Sequence, residues 1–132
     1  MIASLYASLA ALLMIWLALK VIKARRKARV SLGDGGDETL RVRIAAQRNA
    51  AEYIPIALIL MFALEFSDAH AMIVHAFGIA FLSGRVIHAR AMLLDDIPLR
   101  VRGMKLTIWS IIGLAFFNIS LILWHQGVAN FH

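Results

Sequence analysis

The stretch AQRNAAEYIPIALILMFAL, residues 46–64, sets an arginine, an asparagine and a glutamate directly before an uncharged run, Tyr53 to Leu64. As a helix that run covers only about 18 Å, too little for a hydrocarbon core of about 30 Å. It crosses a membrane only if Arg48, Asn49 and Glu52 belong to the same helix. The reading of this stretch therefore decides between a protein with two spans and one with four.

The flanking sequence favours four. Every residue from Met1 to Leu19 is uncharged, as is every residue from Leu106 to Trp124, and each run is long enough to span. Ala71 to Gly84 is the counterpart of Tyr53 to Leu64: apolar, short, and completed by polar residues on its flank. A chain of 132 residues that is 61% hydrophobic and 17% charged has room for a helical bundle and no appended soluble domain. All 14 Lys and Arg lie between Lys20 and Arg48 or between Arg85 and Lys105. This positive-inside pattern predicts two cytoplasmic basic loops and both termini on the non-cytoplasmic side. Four spans satisfy it, whereas three would strand the C-terminus.

The same charge placement explains the net charge of +6 without a nucleic-acid partner. Basic residues also follow the first apolar run, at KVIKARRKAR, instead of preceding it, and no small-residue cleavage site lies beyond, so the reading is a retained helix and not a signal peptide. Cysteine is absent, which excludes disulfides, a thiolate nucleophile and Cys-based metal sites. His70 and His75 are out of phase on a helix and no HxxxH or HExxH occurs, so no metal is expected.

The fold expected is an all-α integral membrane protein, a four-transmembrane-helix bundle forming one domain over residues 1–132. Its helices should cover about 2–25, 40–66, 69–94 and 104–126. SLGDGGDE breaks the first pair, and Asp37, Glu38 or Thr39 caps the second helix. DDIPLRVRG, Asp95 to Gly103, reads as a second basic loop. Pro55 falls inside helix 2, where neighbouring helices can support the backbone. Trp16, Trp109 and Trp124 are candidate interface anchors.

Three- and four-residue steps put Ala45, Arg48, Asn49 and Glu52 on one face of helix 2, with Arg41 earlier on it. On helix 3, Arg85, His88 and Met92 form a matching face at similar depth. Glu52 lies about 18 Å into its helix and Arg85 about 14 Å from the end of its own. Charges so deep are costly against lipid, so an ion pair between Glu52 and Arg85 is expected. Such a pair alone could serve to lock the bundle. It leaves Arg41, Arg43 and Arg48 as a positive surplus suited to an anionic ligand, while KARRKAR, Arg100, Arg102 and Lys105 suit anionic membrane lipids.

AQRNAAEYIP and GRVIH, Gly84 to His88, resemble motifs of the MAPEG family, membrane-associated proteins of eicosanoid and glutathione metabolism. Asn49, Glu52 and Pro55 match its helix 2 signature, and Tyr53 matches the leukotriene synthase branch. Arg85 and His88 match its Gly-Arg-x-x-His stretch. The family's arginine four residues before the asparagine is Ala45 here, and a tyrosine of its helix 3 is Met92. The resemblance covers nearly the whole chain. It implies a homotrimer, in the cell inner membrane for a bacterial-type member, with glutathione as co-substrate between subunits on the cytoplasmic side.

On that resemblance, Arg41, Arg43, Arg48, Asn49, Glu52, Tyr53, Arg85 and His88 would bind glutathione. Arg100 or Arg102 would stabilise its thiolate for conjugation or addition to a lipophilic electrophile. Two other classes compete. A noncatalytic relative would bind lipid, glutathione or a partner protein. A small multidrug transporter would exchange protons for cations at a membrane glutamate, but the first helix has no acid and the arginines near Glu52 repel cations.

Overall fold

The computed structural model describes residues 1–129 and, among them, four α-helices and no strand. In chain order these are α1, Ile2–Ala28, α2, Glu38–Phe66, α3, Ala71–Leu93, and α4, Ile97–Ala129. All four are long and apolar enough to cross a membrane, and the chain is an integral membrane four-helix bundle. The polar residues 46–52 do lie within the same continuous helix as Tyr53–Leu64, and α2 runs through Pro55.

Local chemistry sets the helix boundaries. α1 ends where Arg29 adopts a left-handed conformation, its amide bonding back to the Arg25 carbonyl. Gly33, Gly35 and Gly36 supply the positive φ angles of the following loop. Asp37 then caps α2, its carboxylate accepting from the Leu40 amide at 2.7 Å.

Helix α4 begins earlier than its sequence suggests. Residues 95–103 read as a loop, yet α4 starts at Ile97. The Asp96 carboxylate accepts from the Leu99 amide at 2.9 Å, and its carbonyl accepts from the Arg100 amide at 2.9 Å. Pro98 therefore sits in a first turn, where its missing donor has no partner to lose. Asp96 and Pro98, within the stretch read as a loop, are helix start signals.

Packing follows small residues. Ala46, Ala50 and Ala57 on α2 join Ala10 and Leu17 on α1, with Phe81 and Ala89 on α3, in one buried cluster. A second cluster, nearer the other end, contains Tyr6, Met61, Leu64, Val74 and Leu114. α3 and α4 make the most extensive helix pairing, and among the described residues the backbones of α1 and α4 do not pair. At Gly84 and Gly103 the backbones of α3 and α4 come close together. A Cβ on Gly103 would lie 2.6 Å from the His88 nitrogen and 2.9 Å from the Gly84 oxygen. Only glycine permits that approach without moving a backbone.

The outward faces of α1 and α4 are apolar, through residues such as Leu12, Ile15, Leu19, Ile112, Phe116 and Leu123. These are the surfaces lipid tails would cover. The outward face of α2 is different: Arg41, Ala45, Arg48, Glu52, Ile56 and Ile59 form one exposed stripe along it. Glu52 is the middle residue of α2, on the order of 20 Å from either end.

Candidate functional site

The site centres on Arg85, which reaches from α3 into the space between α2 and α4 and is 0% exposed. Its Nη2 donates to the Asn49 Oδ1 of α2 at 2.7 Å and lies 3.4 Å from His88 Nδ1. Nη1 lies 3.5 Å from the Thr107 hydroxyl of α4, at the limit of a hydrogen bond. The guanidinium carbon stands 5.6 Å from the centre of the Tyr53 ring, a cation–π distance. Three helices thus hold one cation through neutral groups. Its Nε has no hydrogen-bond partner.

This arrangement corrects the expected ion pair. Arg85 is met by Asn49, one turn before Glu52, and not by Glu52 itself. Glu52 is exposed on the outward stripe with Arg48, and neither makes a hydrogen bond or an ion pair among the described residues. Asn49 lies at the inner margin of that stripe and is half-buried, so its amide can turn toward α3 while the Glu52 carboxylate cannot. The spacing correctly put both residues on one broad face, but the inward edge of that face belongs to Asn49.

The remaining candidates separate into groups. Tyr53 and His88 both lie against Arg85. Arg100 is half-buried, its Nη1 3.5 Å from the Met92 sulfur, whereas Arg102 is exposed. Two residues apart on a helix, they point about 200° from each other, so only Arg100 faces α3. Arg41 pairs with Glu38 at the exposed start of α2. Arg43 turns toward α1 and donates to the Lys20 carbonyl at 3.2 Å, away from Arg85.

Two contributors were not singled out from the sequence. Thr107 is fully buried, donates to the Gly103 carbonyl at 2.9 Å and presents its oxygen to Arg85. Gly103 admits the close approach that brings Thr107 there. Their four-residue separation is a small-residue spacing of the kind found at close membrane helix contacts, and it was the available signal. No group of three or more His, Cys, Asp or Glu suited to a metal occurs among the described residues.

A deep cation surrounded by neutral acceptors, beside an unpaired arginine and an unpaired glutamate, can bind a ligand carrying both signs of charge. The model of the MAPEG family matches residues 3–120. Two curated relatives, each named inner membrane protein YecN, come from Escherichia coli strain K12 and from E. coli O6:H1. Each is 36% identical over 124 residues, covering 94% of this chain and 95% of its own.

Proposed function

The chain belongs to the MAPEG family, and on that premise we propose that it is a glutathione transferase-like protein joining glutathione to a lipophilic electrophile from the bilayer. The observation that carries this reading is the Arg85 cluster, with its orphaned Nε, next to the unpaired Arg48 and Glu52. A buried donor left unmatched is costly, and an acceptor brought by a ligand removes that cost. Glutathione offers two carboxylates and one ammonium. Arg48 and Arg85 suit the carboxylates, Glu52 and the Asn49 oxygen suit the ammonium, and Tyr53 and His88 brace Arg85.

Glutathione would also supply the sulfur nucleophile that a chain without cysteine lacks. Arg100, rather than Arg102, is the residue assigned to stabilise the thiolate, because it faces α3. The proposed assembly is a homotrimer in the inner membrane, the location in the names of both relatives. Its support is the outward stripe of α2: Glu52 at mid-helix has no partner among the described residues, and a neighbouring subunit would shield it from lipid.

Calorimetry of the detergent-purified protein with glutathione tests the binding site. Saturable binding, weakened by Glu52→Gln or Arg48→Ala, is expected. No binding up to millimolar glutathione, repeated in lipid nanodiscs, would remove the assignment. A second reading, a noncatalytic binding protein, is favoured by one observation: a thioether, Met92, stands beside Arg100 where a family tyrosine would offer a hydroxyl. Glutathione binding without turnover on a broad panel of electrophiles would select it.

A further inference from the structure

A cavity of about 510 Å³, lined by both charged and apolar side chains, lies at the basic end of the bundle. α1 walls it through Trp16 and Lys20, α2 through Arg43, and the end of α3 through Arg90, Met92 and Leu93. No residue of the Arg85 cluster lines it, nor does Arg48 or Glu52. It lies apart from the Arg85 cluster and meets the proposed glutathione site only through Met92, beside Arg100.

Its charges are arranged by the fold. The Lys20 ammonium stands 5.3 Å from the centre of the Trp16 ring, while Arg43 Nη1 donates to the Lys20 carbonyl at 3.2 Å. These contacts hold two cations where α1 and α2 meet, and Arg90 adds a third from α3. Two carboxylates, Glu38 and Asp95, also line the cavity, but Arg41 engages Glu38. Positive charge is in excess. A smaller cavity of about 190 Å³ shares Thr39 and Arg43 and adds Lys27, continuing the basic wall toward the end of α1.

The aromatic part of the wall lies deeper. Trp16 is one turn deeper than Lys20, about 18 Å from the end of α1 compared with about 12 Å. Met92 and Leu93, beyond Arg90 at the end of α3, lie level with the cations. The cavity is thus amphipathic along the membrane normal, with cations toward the headgroups and an aromatic ring toward the acyl chains. Its volume falls in the range of small-molecule sites, roughly 300–1,000 Å³.

We propose that this cavity binds the phosphate of an anionic phospholipid, with the glycerol and first acyl carbons along Trp16. A free phosphate ester would leave that ring uncovered. A choline headgroup would bring its own cation beside Lys20, Arg43 and Arg90. Basic recesses between transmembrane helices at a membrane edge have the chemistry that retains anionic headgroups.

The test uses Trp16 as reporter, in full-length protein carrying Trp109→Phe and Trp124→Phe, both positions being exposed. Nanodiscs of phosphatidylcholine receive a small fraction of either phosphatidylglycerol or phosphatidylcholine with brominated acyl chains, which quench tryptophan. Phosphatidylglycerol should quench half-maximally at a lower fraction. Arg43→Gln and Arg90→Gln should each reduce that preference about fivefold, as expected for one cation near an anionic headgroup. Arg90 is exposed on its helix, so its variant keeps the test valid if Arg43→Gln misfolds.

Arg26→Gln, an exposed basic change outside the cavity, should leave the preference intact. Equal quenching by the two lipids would overturn the proposal, as would an equal loss of preference in Arg26→Gln. Relief of quenching by glycerol 3-phosphate would reassign the cavity to a soluble phosphate ester, and relief by glutathione would merge it with the Arg85 site. Either overturns a lipid site.

Discussion

The two ends of the bundle treat buried polarity in opposite ways. At the end without basic residues, the Glu65 carboxylate accepts from the Ile2 and Ala3 amides at 2.5 and 2.8 Å, closing the exposed start of α1. Tyr6 bonds His75 at 2.9 Å, and His70 caps α3 through the Met72 amide at 3.2 Å. At the basic end, Arg85 keeps an unmatched Nε while Arg48 and Glu52 face outward unpaired. Glu65 at the end of α2 finds its partners within the chain, whereas Glu52 at its middle has none among the described residues. The difference teaches which polar residues complete the fold and which await something outside it.

Substitutions can break that contrast. Arg85→Ala should have the largest effect, about 3 kcal/mol or more in stability, because it opens a cavity and leaves Asn49 and Thr107 unmatched. Denaturant unfolding in mixed micelles would measure it, and a loss under about 1 kcal/mol would show that the cluster matters little to the fold. Glu65→Ala should lower the thermal midpoint by several degrees while leaving glutathione affinity unchanged. Calorimetry on the same sample tests the second half, and weakened binding would undo the separation of the two ends.

Glu52→Gln should do the reverse. A loss of at least about tenfold in glutathione affinity, roughly 1.4 kcal/mol, is expected with thermal stability nearly unchanged. A large fall in the midpoint with affinity intact would instead place Glu52 among the structural residues. The smallest effect belongs to Arg41→Ala. Its partner Glu38 is exposed, so stability should change by less than about 0.5 kcal/mol, and glutathione affinity should not move. Any marked loss of binding would return Arg41 to the ligand set.

The spans were legible because charge is excluded from long runs and basic residues gather in two zones, both consequences of lipid as solvent. The meeting of the polar faces of α2 and α3 was legible too, since helical spacing and antiparallel order put them at equal depth. Spacing fixes a face but not which edge of it meets a neighbour, so Asn49 rather than Glu52 reaching Arg85 required tertiary structure. The choice between Arg100 and Arg102 likewise depended on where α4 begins, and Asp96 with Pro98 reads as either a break or a cap. The cavity at Trp16, Lys20 and Arg43 depends on how α1, α2 and α3 converge, which no local pattern encodes.

The contact between Gly84 and Gly103 bears on the mechanics of the molecule. With backbones this close, α3 and α4 have little freedom to slide, so Arg85, His88, Thr107 and Arg100 are carried on one hairpin. Asn49, Tyr53, Arg48 and Glu52 are carried on α2. The separation between those two bodies is then a single coordinate governing the width of the whole site, and a shift of α2 alters every polar contact across it at once.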